Sequence, residues 1–122
     1  MDINLKPTDS ELEILQVLWA NPASTVRAVH EALGKKDAGY TTTLKLMQIM
    51  HEKGLVTRDT SSKTHLYYAH IDQEKTQQLF LKKMINDVFN GSTTRLVLQA
   101  LGDRKASVEE IELIKKHLDN LK

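Results

Sequence analysis

Thr41, Lys45, Gln48 and Glu52 recur at steps of four, three and four residues, the spacing that stacks side chains on one face of an α-helix. These residue types can read a DNA major groove. Lys45 suits guanine acceptors or a phosphate, Gln48 suits the donor–acceptor pair of adenine, and Thr41 and Thr42 suit phosphate or a thymine methyl. Tyr40, Thr43, Met47 and Met50 fall on the other side and would pack inward, with Thr42, Leu46 and Ile49 flanking the polar face. The start of such a helix also presents unpaired backbone N–H groups that favour a phosphate. The plain alternative is a solvated face of ordinary polar residues. Downstream, Arg58, Ser61, Ser62, Lys63, Thr64 and His65 are cationic or small and polar, which suits a sugar–phosphate backbone, where contacts fix register without reading bases. A surface hairpin needs polar residues at its tip in any case. Between residues 40 and 70, Lys45, Lys53, Arg58 and Lys63 outnumber Glu52 and Asp59 by two.

Other chemistries find little support. Cysteine is absent, which removes disulfides, thiolate metal sites and cysteine nucleophiles together. His30, His51, His65, His70 and His117 form no His-x₃-His pair and have no second metal ligand beside them in sequence. No Ser/His/Asp order, glycine-rich phosphate loop or paired-carboxylate motif stands out, so neither an enzyme nor a cofactor is expected. Seventeen Lys and Arg balance sixteen Asp and Glu, so bulk charge selects no partner. No apolar run approaches the roughly 20 residues of a membrane span. The start, Met1-Asp2-Ile3-Asn4-Leu5-Lys6, lacks the pattern of a secretion signal, and a cytoplasmic location is expected.

The elements that must position the polar face are well punctuated. Thr8 and Glu11 form a capping box for a first helix carrying Leu12, Leu15, Leu18 and Trp19, which Asn21-Pro22 stops. A second helix starts near Ser24 or Thr25, buries Val26, Val29 and Leu33, and ends at Gly34. Lys35-Lys36-Asp37-Ala38-Gly39 reads as a polar loop. The third helix runs from about Thr41 to Lys53 and closes at Gly54. The period then changes: Leu55-Val56-Thr57-Arg58 and His65-Leu66-Tyr67-Tyr68-Ala69, joined by Asp59 to Thr64, read as a β-hairpin. Three short helices followed by a hairpin are the layout of a winged helix-turn-helix. The fold class expected is therefore mainly α, with a small β component in that winged helix.

Everything after Asp72 reads as helical. One helix carries Leu79, Phe80, Met84, Ile85, Val88 and Phe89 and stops at Asn90-Gly91; a short one from Thr93 carries Leu96, Val97, Ala100 and Leu101. The last opens with a second capping box, Ser107 and Glu110, and places Ile111, Ile114, Leu118 and Leu121 at steps of three, four and three, a coiled-coil-like seam. These apolar faces exceed what one copy can bury, so a homodimer is expected. Leu79, Met84, Val88, Leu96, Ile111, Ile114, Leu118 and Leu121 are its candidate contacts. The expected division is residues 1–71 for DNA binding and 72–122 for helical dimerisation.

Gly39-Tyr40-Thr41-Thr42-Thr43-Leu44-Lys45-Leu46-Met47-Gln48, followed by Glu52-Lys53-Gly54-Leu55-Val56, resembles the signature of the penicillinase and methicillin-resistance repressors. These are dimeric winged-helix regulators whose relatives include copper-responsive repressors. Leu12 to Trp19 and Thr25 to Leu33 are similar to the family's opening helices, and Tyr67-Tyr68-Ala69 to its wing exit. The likeness extends in pattern over residues 5–118, with specific motifs in 8–70.

The resemblance implies a repressor that binds double-stranded operator DNA of dyad symmetry, one recognition helix per half-site. Its contacts would be Thr41, Thr42, Lys45 and Gln48, with Arg58, Ser62 and Lys63 of the wing and Thr25 and Arg27 of the second helix on phosphate. Family members often carry arginine where this chain has Ile49. Antibiotic-responsive relatives are released when a membrane metallopeptidase, a signalling partner encoded nearby, triggers cutting at an Asn-Phe bond; Gln99-Ala100 takes that place here. Copper-responsive relatives carry paired cysteines, so thiolate sensing is excluded. The competing expectation is a winged helix used for protein–protein contact, without sequence-specific DNA binding.

Overall fold

The computed structural model describes residues 6–34, 39–103 and 106–122. Residues 1–5, and the polar loop expected at Lys35-Lys36-Asp37-Ala38, lie outside the described residues. Among the described residues, six helices and a two-stranded sheet follow in the order α1 (Asp9–Ala20), α2 (Val26–Leu33), α3 (Tyr40–Lys53), β1 (Val56–Asp59), β2 (Leu66–Ala69), α4 (Gln73–Asp87), α5 (Thr93–Asp103) and α6 (Val108–Asn120). The mainly α architecture with a small winged-helix sheet is the one expected. The chain divides into two compact units, Met1–Phe80 and Leu81–Lys122, so the first two turns of α4 belong with the first unit.

In the first unit the caps set the element boundaries. The Thr8 hydroxyl accepts from the Glu11 amide while the Glu11 carboxylate accepts from the Thr8 amide, which satisfies two helix-end donors at once. Thr25 caps α2 by accepting from the Ala28 amide, and Gly34 closes that helix in the left-handed conformation. Gly54 does the same for α3 at φ 86°, where a side chain would be strained. The helix starts one residue earlier than the periodicity placed it, at Tyr40.

The three helices and the sheet enclose one core. Ile14, Leu15 and Leu18 of α1, Val26 and Val29 of α2, Met47 and Met50 of α3, and Leu55, Val56 and Tyr67 of the hairpin region are all buried. Leu33 is half-buried at its edge. The strands pair antiparallel, with Val56 opposite Ala69 and Asp59 opposite Leu66. Ser24 adds a backbone bridge, exchanging hydrogen bonds with Tyr67 at 3.1 and 2.8 Å, so the turn between α1 and α2 is stitched to the wing. The Trp19 indole N–H donates to the Ile71 carbonyl at 3.1 Å, tying α1 to the segment that leads into α4.

The second unit has the local signals without a core. Ser107 and Glu110 form the expected capping box. Asn90 (φ 50°) and Gly91 (φ 84°) turn the chain after α4, which ends at Asp87 and leaves Val88 and Phe89 in the turn rather than in the helix. The Ser92 hydroxyl accepts from the Arg95 amide and caps α5. Among the described residues from 81 onward, no side chain is buried.

Candidate nucleic-acid interface

Helix α3 has two distinct faces. Thr43, Met47 and Met50 are buried and Tyr40, Leu44 and Leu46 are half-buried against the core. Thr41, Thr42, Lys45, Gln48, Ile49 and Glu52 are all exposed. At 100° per residue these last six occupy one continuous arc with Lys45 near its middle, Thr42 and Ile49 on one side and Thr41 and Gln48 on the other. Tyr40, Thr43, Met47 and Met50 lie inward and Thr41, Lys45, Gln48 and Glu52 outward, as the 3.6-residue period assigned, whereas Leu46, expected beside the polar face, packs against the core.

The start of α3 is chemically open. Gly39 occupies the N-cap and offers no side chain to it, while Thr42 and Thr43 donate their amides to the Gly39 carbonyl. Among the described residues nothing caps the two preceding helical amides, an arrangement that favours an anion. Arg27, exposed in the first turn of α2, lies 4.4 Å from the centroid of the Tyr40 ring. That stacking holds a guanidinium beside the first residue of α3 without consuming its hydrogen-bond donors. Tyr40 is also met edge-on by His30, whose Nδ1 shares a 2.9 Å hydrogen bond with the Thr43 hydroxyl. The buried hydroxyl of Thr43 is thus satisfied from α2.

At its other end, α3 is anchored by an ion pair. Glu11 of α1 is 2% exposed, and its carboxylate lies 2.7 Å from the Lys53 ammonium. Burial alone pushes this carboxyl up, but the Lys53 hydrogen bond, the Thr8 amide, the Lys53 charge and the Thr8 side chain together hold it below the ordinary value of 4.5. The pairing also trims the positive strip expected over residues 40–70. Lys53 is neutralised by Glu11, which leaves Lys45, Arg58 and Lys63 beside Glu52 and Asp59.

The wing carries the remaining candidates. Ser62 and Lys63 are exposed at the tip, and the Ser62 hydroxyl donates to the Thr64 carbonyl at 2.9 Å. The Asp59 carboxylate accepts from the Ser61 amide at 2.9 Å, and this bond holds its carboxyl below the ordinary range. Arg58 is half-buried, with its guanidinium 3.4 Å from the Tyr67 hydroxyl, so its head is drawn toward its own sheet. Thr25 is also committed in part, because its hydroxyl oxygen already caps α2. Tyr40 was placed inward by spacing, but the pairing of Glu11 with Lys53, the bond from His30 to Thr43 and the bridge at Ser24 were not singled out as parts of this scaffold. Their partners lie outside the local periodicity, and only the capping role of Glu11 left a sequence signal.

Of the candidate dimer contacts, Leu79 falls in the first unit and is half-buried. Met84, Val88, Ile111, Leu118 and Leu121 are exposed in the single chain, and Leu96 and Ile114 are half-buried. Gln99 and Ala100 lie exposed within α5. Among the described residues, no three His, Asp or Glu side chains are grouped to hold a metal ion, and no helix is long and apolar enough to cross a membrane.

Comparison with known proteins places this arrangement. The chain is 26% identical over 113 residues to the methicillin resistance regulatory protein MecI of Staphylococcus aureus, covering 92% of each chain. It is 24% identical over 116 residues to the penicillinase repressor of Bacillus licheniformis, covering 94% of this chain and 91% of the relative. Among solved structures, a MarR family protein from Bacillus stearothermophilus superposes with a TM-score of 0.54 at 21% identity, over 97% of this chain and 74% of its own. The transcriptional repressor CouR, solved on a 23-mer DNA duplex, superposes at 0.52 with 18% identity, over 95% and 75%. These neighbours share the winged-helix fold. The sequence model described as penicillinase repressor matches residues 7–120, so the likeness takes in both units, and on that ground the chain belongs to the penicillinase repressor family.

Proposed function

We propose that this chain represses transcription by binding an operator of dyad symmetry as a homodimer, with one α3 per half-site in the major groove. The observation that carries this reading is the outward arc of α3. Thr41, Thr42, Lys45 and Gln48 are exposed and are not used to hold the fold together, on a helix fixed at its far end by Glu11 and Lys53. Lys45 and Gln48 read bases. Arg27, Thr25 and the uncapped start of α3 take phosphates on one side, and Ser62 and Lys63 of the wing, with Arg58 behind them, take phosphates on the other. The apolar faces of the second unit pair with those of a second copy, with Ile111, Ile114, Leu118 and Leu121 as its seam. The family membership supports the repressor role, and the likeness to a repressor solved on DNA supports the groove-reading geometry.

Release by proteolysis within α5, signalled by a membrane metallopeptidase, is part of this reading. Gln99 and Ala100 are exposed in the single chain, but a helical bond must open locally before a protease can cut it. A shortened chain in induced cells supports this route, and intact protein throughout induction removes it.

The test of DNA reading is binding to a selected operator and to random duplex. Lys45→Ala and Gln48→Ala lower the preference for operator, each by about 1–3 kcal/mol if it reads a base. Variants that bind the operator as well as wild type overturn the assignment of this face. A protein that binds no duplex even at low salt favours a winged helix used for protein contact instead.

A further inference from the structure

Ile49 stands apart from every other large hydrophobic residue described in the first unit. It is 36% exposed, whereas the other large hydrophobics exposed to this degree among the described residues lie at Leu81 or beyond, on the helices of the second unit. It sits seven residues after Thr42 and four after Lys45, so the three line one stripe of about 10 Å along α3. Nothing in the core requires an alkyl group at that position: Met47 and Met50 already fill the inward side, and Leu46 flanks the core. A branched alkyl chain held among threonine, lysine and glutamine on an outward face matches an apolar feature of whatever that face meets. The major groove has one such feature, the C5 methyl of thymine.

We propose that Ile49 is a specificity-determining residue that selects a T·A pair in each half-site by packing against the thymine methyl. This rests on the groove-reading role of α3 proposed above. Lys45 and Gln48 supply hydrogen-bond readout, and Ile49 supplies the apolar discrimination that those polar side chains cannot. The thymine it reads lies beside the base contacted by Lys45, because the two side chains are one helical turn apart.

The experiment uses the full-length protein and an operator obtained by selection from random-sequence duplex. Each thymine is replaced singly by deoxyuridine, which deletes the methyl and leaves base pairing intact. At one position per half-site, wild type loses about fourfold in affinity, and roughly the square of that when both half-sites are replaced. Ile49→Ala, which removes the contact from both half-sites at once, binds the unmodified operator more weakly by roughly that squared factor and is indifferent to the replacement; Ile49→Val retains the sensitivity. Ile49 is outside the core, so both variants fold, as an unchanged Tm verifies. Sequence-specific binding in which no thymine methyl matters, or in which Ile49→Ala loses as much as wild type on replacement, overturns the role of Ile49 while leaving the reading of α3 in place. Failure to select any preferred sequence overturns both.

Discussion

The two units of this chain contain similar local instructions and reach different ends. Both have capping boxes, at Thr8 and Glu11 in the first and Ser107 and Glu110 in the second, and both space their apolar residues for helices. In the first, Ile14, Leu15, Leu18, Val29, Met47, Met50, Leu55, Val56 and Tyr67 close on one another and are buried. In the second, residues such as Val108 (74% exposed) and Leu121 (70%) remain open to solvent. Caps and periodicity fix where helices begin and end, whereas a core requires several apolar faces to converge. The first unit meets that condition within one chain. The second does not meet it among the described residues of the single chain, which is why its apolar residues are the proposed dimer surface.

The sharpest way to break this contrast is to charge the seam. Ile114→Glu combined with Leu118→Glu gives a monomer in sedimentation and lowers operator affinity by roughly hundredfold or more, since two linked half-site contacts become one. The wild-type Tm rises with protein concentration and that of the double variant does not. Unchanged mass removes the α6 seam from the interface. Core truncation in the first unit behaves differently: Leu15→Ala costs about 2–5 kcal/mol of stability through the cavity it leaves, read by denaturant unfolding. Its effect does not depend on concentration in the monomeric background.

A smaller effect belongs to Glu11. Glu11→Gln removes the charge from a buried hydrogen-bonded pair and destabilises the first unit by about 1–3 kcal/mol. Because the folded-state pKa of Glu11 is lowered, its contribution is fully present above about 4.5 and is lost as pH falls through the lower folded value. Wild type therefore loses more stability than Glu11→Gln on acidification below that pH. Parallel curves for the two proteins contradict the role of the pair. The smallest expected effect is at the wing tip, where Lys63→Ala weakens operator and random DNA alike and reduces the slope of log K against log[salt] by about one per half-site, or about two for the dimer.

Most of the first unit was legible because its signals are local. Thr8, Thr25, Gly34 and Gly54 mark helix ends, and the 3.6-residue period separated Thr43, Met47 and Met50 from Thr41, Lys45 and Gln48 correctly. What was not legible depends on partners far along the chain. Glu11 reads as half of a capping box, yet it also pairs with Lys53, forty-two residues away. The bridge from Ser24 to Tyr67, the bond from Trp19 to Ile71 and the stacking of Arg27 on Tyr40 likewise leave no periodic trace. At the candidate interface the outward face could be read from spacing, but the partial commitment of Arg58 and Thr25 to their own fold could not. In the second unit the helices were legible, although α4 ends early at Asp87, where the Phe89 amide reaches back to the Met84 carbonyl and the Gly91 amide to that of Ile85 as the chain turns through the positive-φ residues Asn90 and Gly91.

Backbone footprinting of a selected operator, combined with the mass of the complex, tests the central claim most directly. Two chains on one duplex, protecting two symmetry-related tracts about ten base pairs or a multiple apart, with Lys45→Ala lowering the preference for that sequence, is the result this account predicts. Protection of a single tract by one chain, or protection indifferent to sequence and to Lys45, would contradict it.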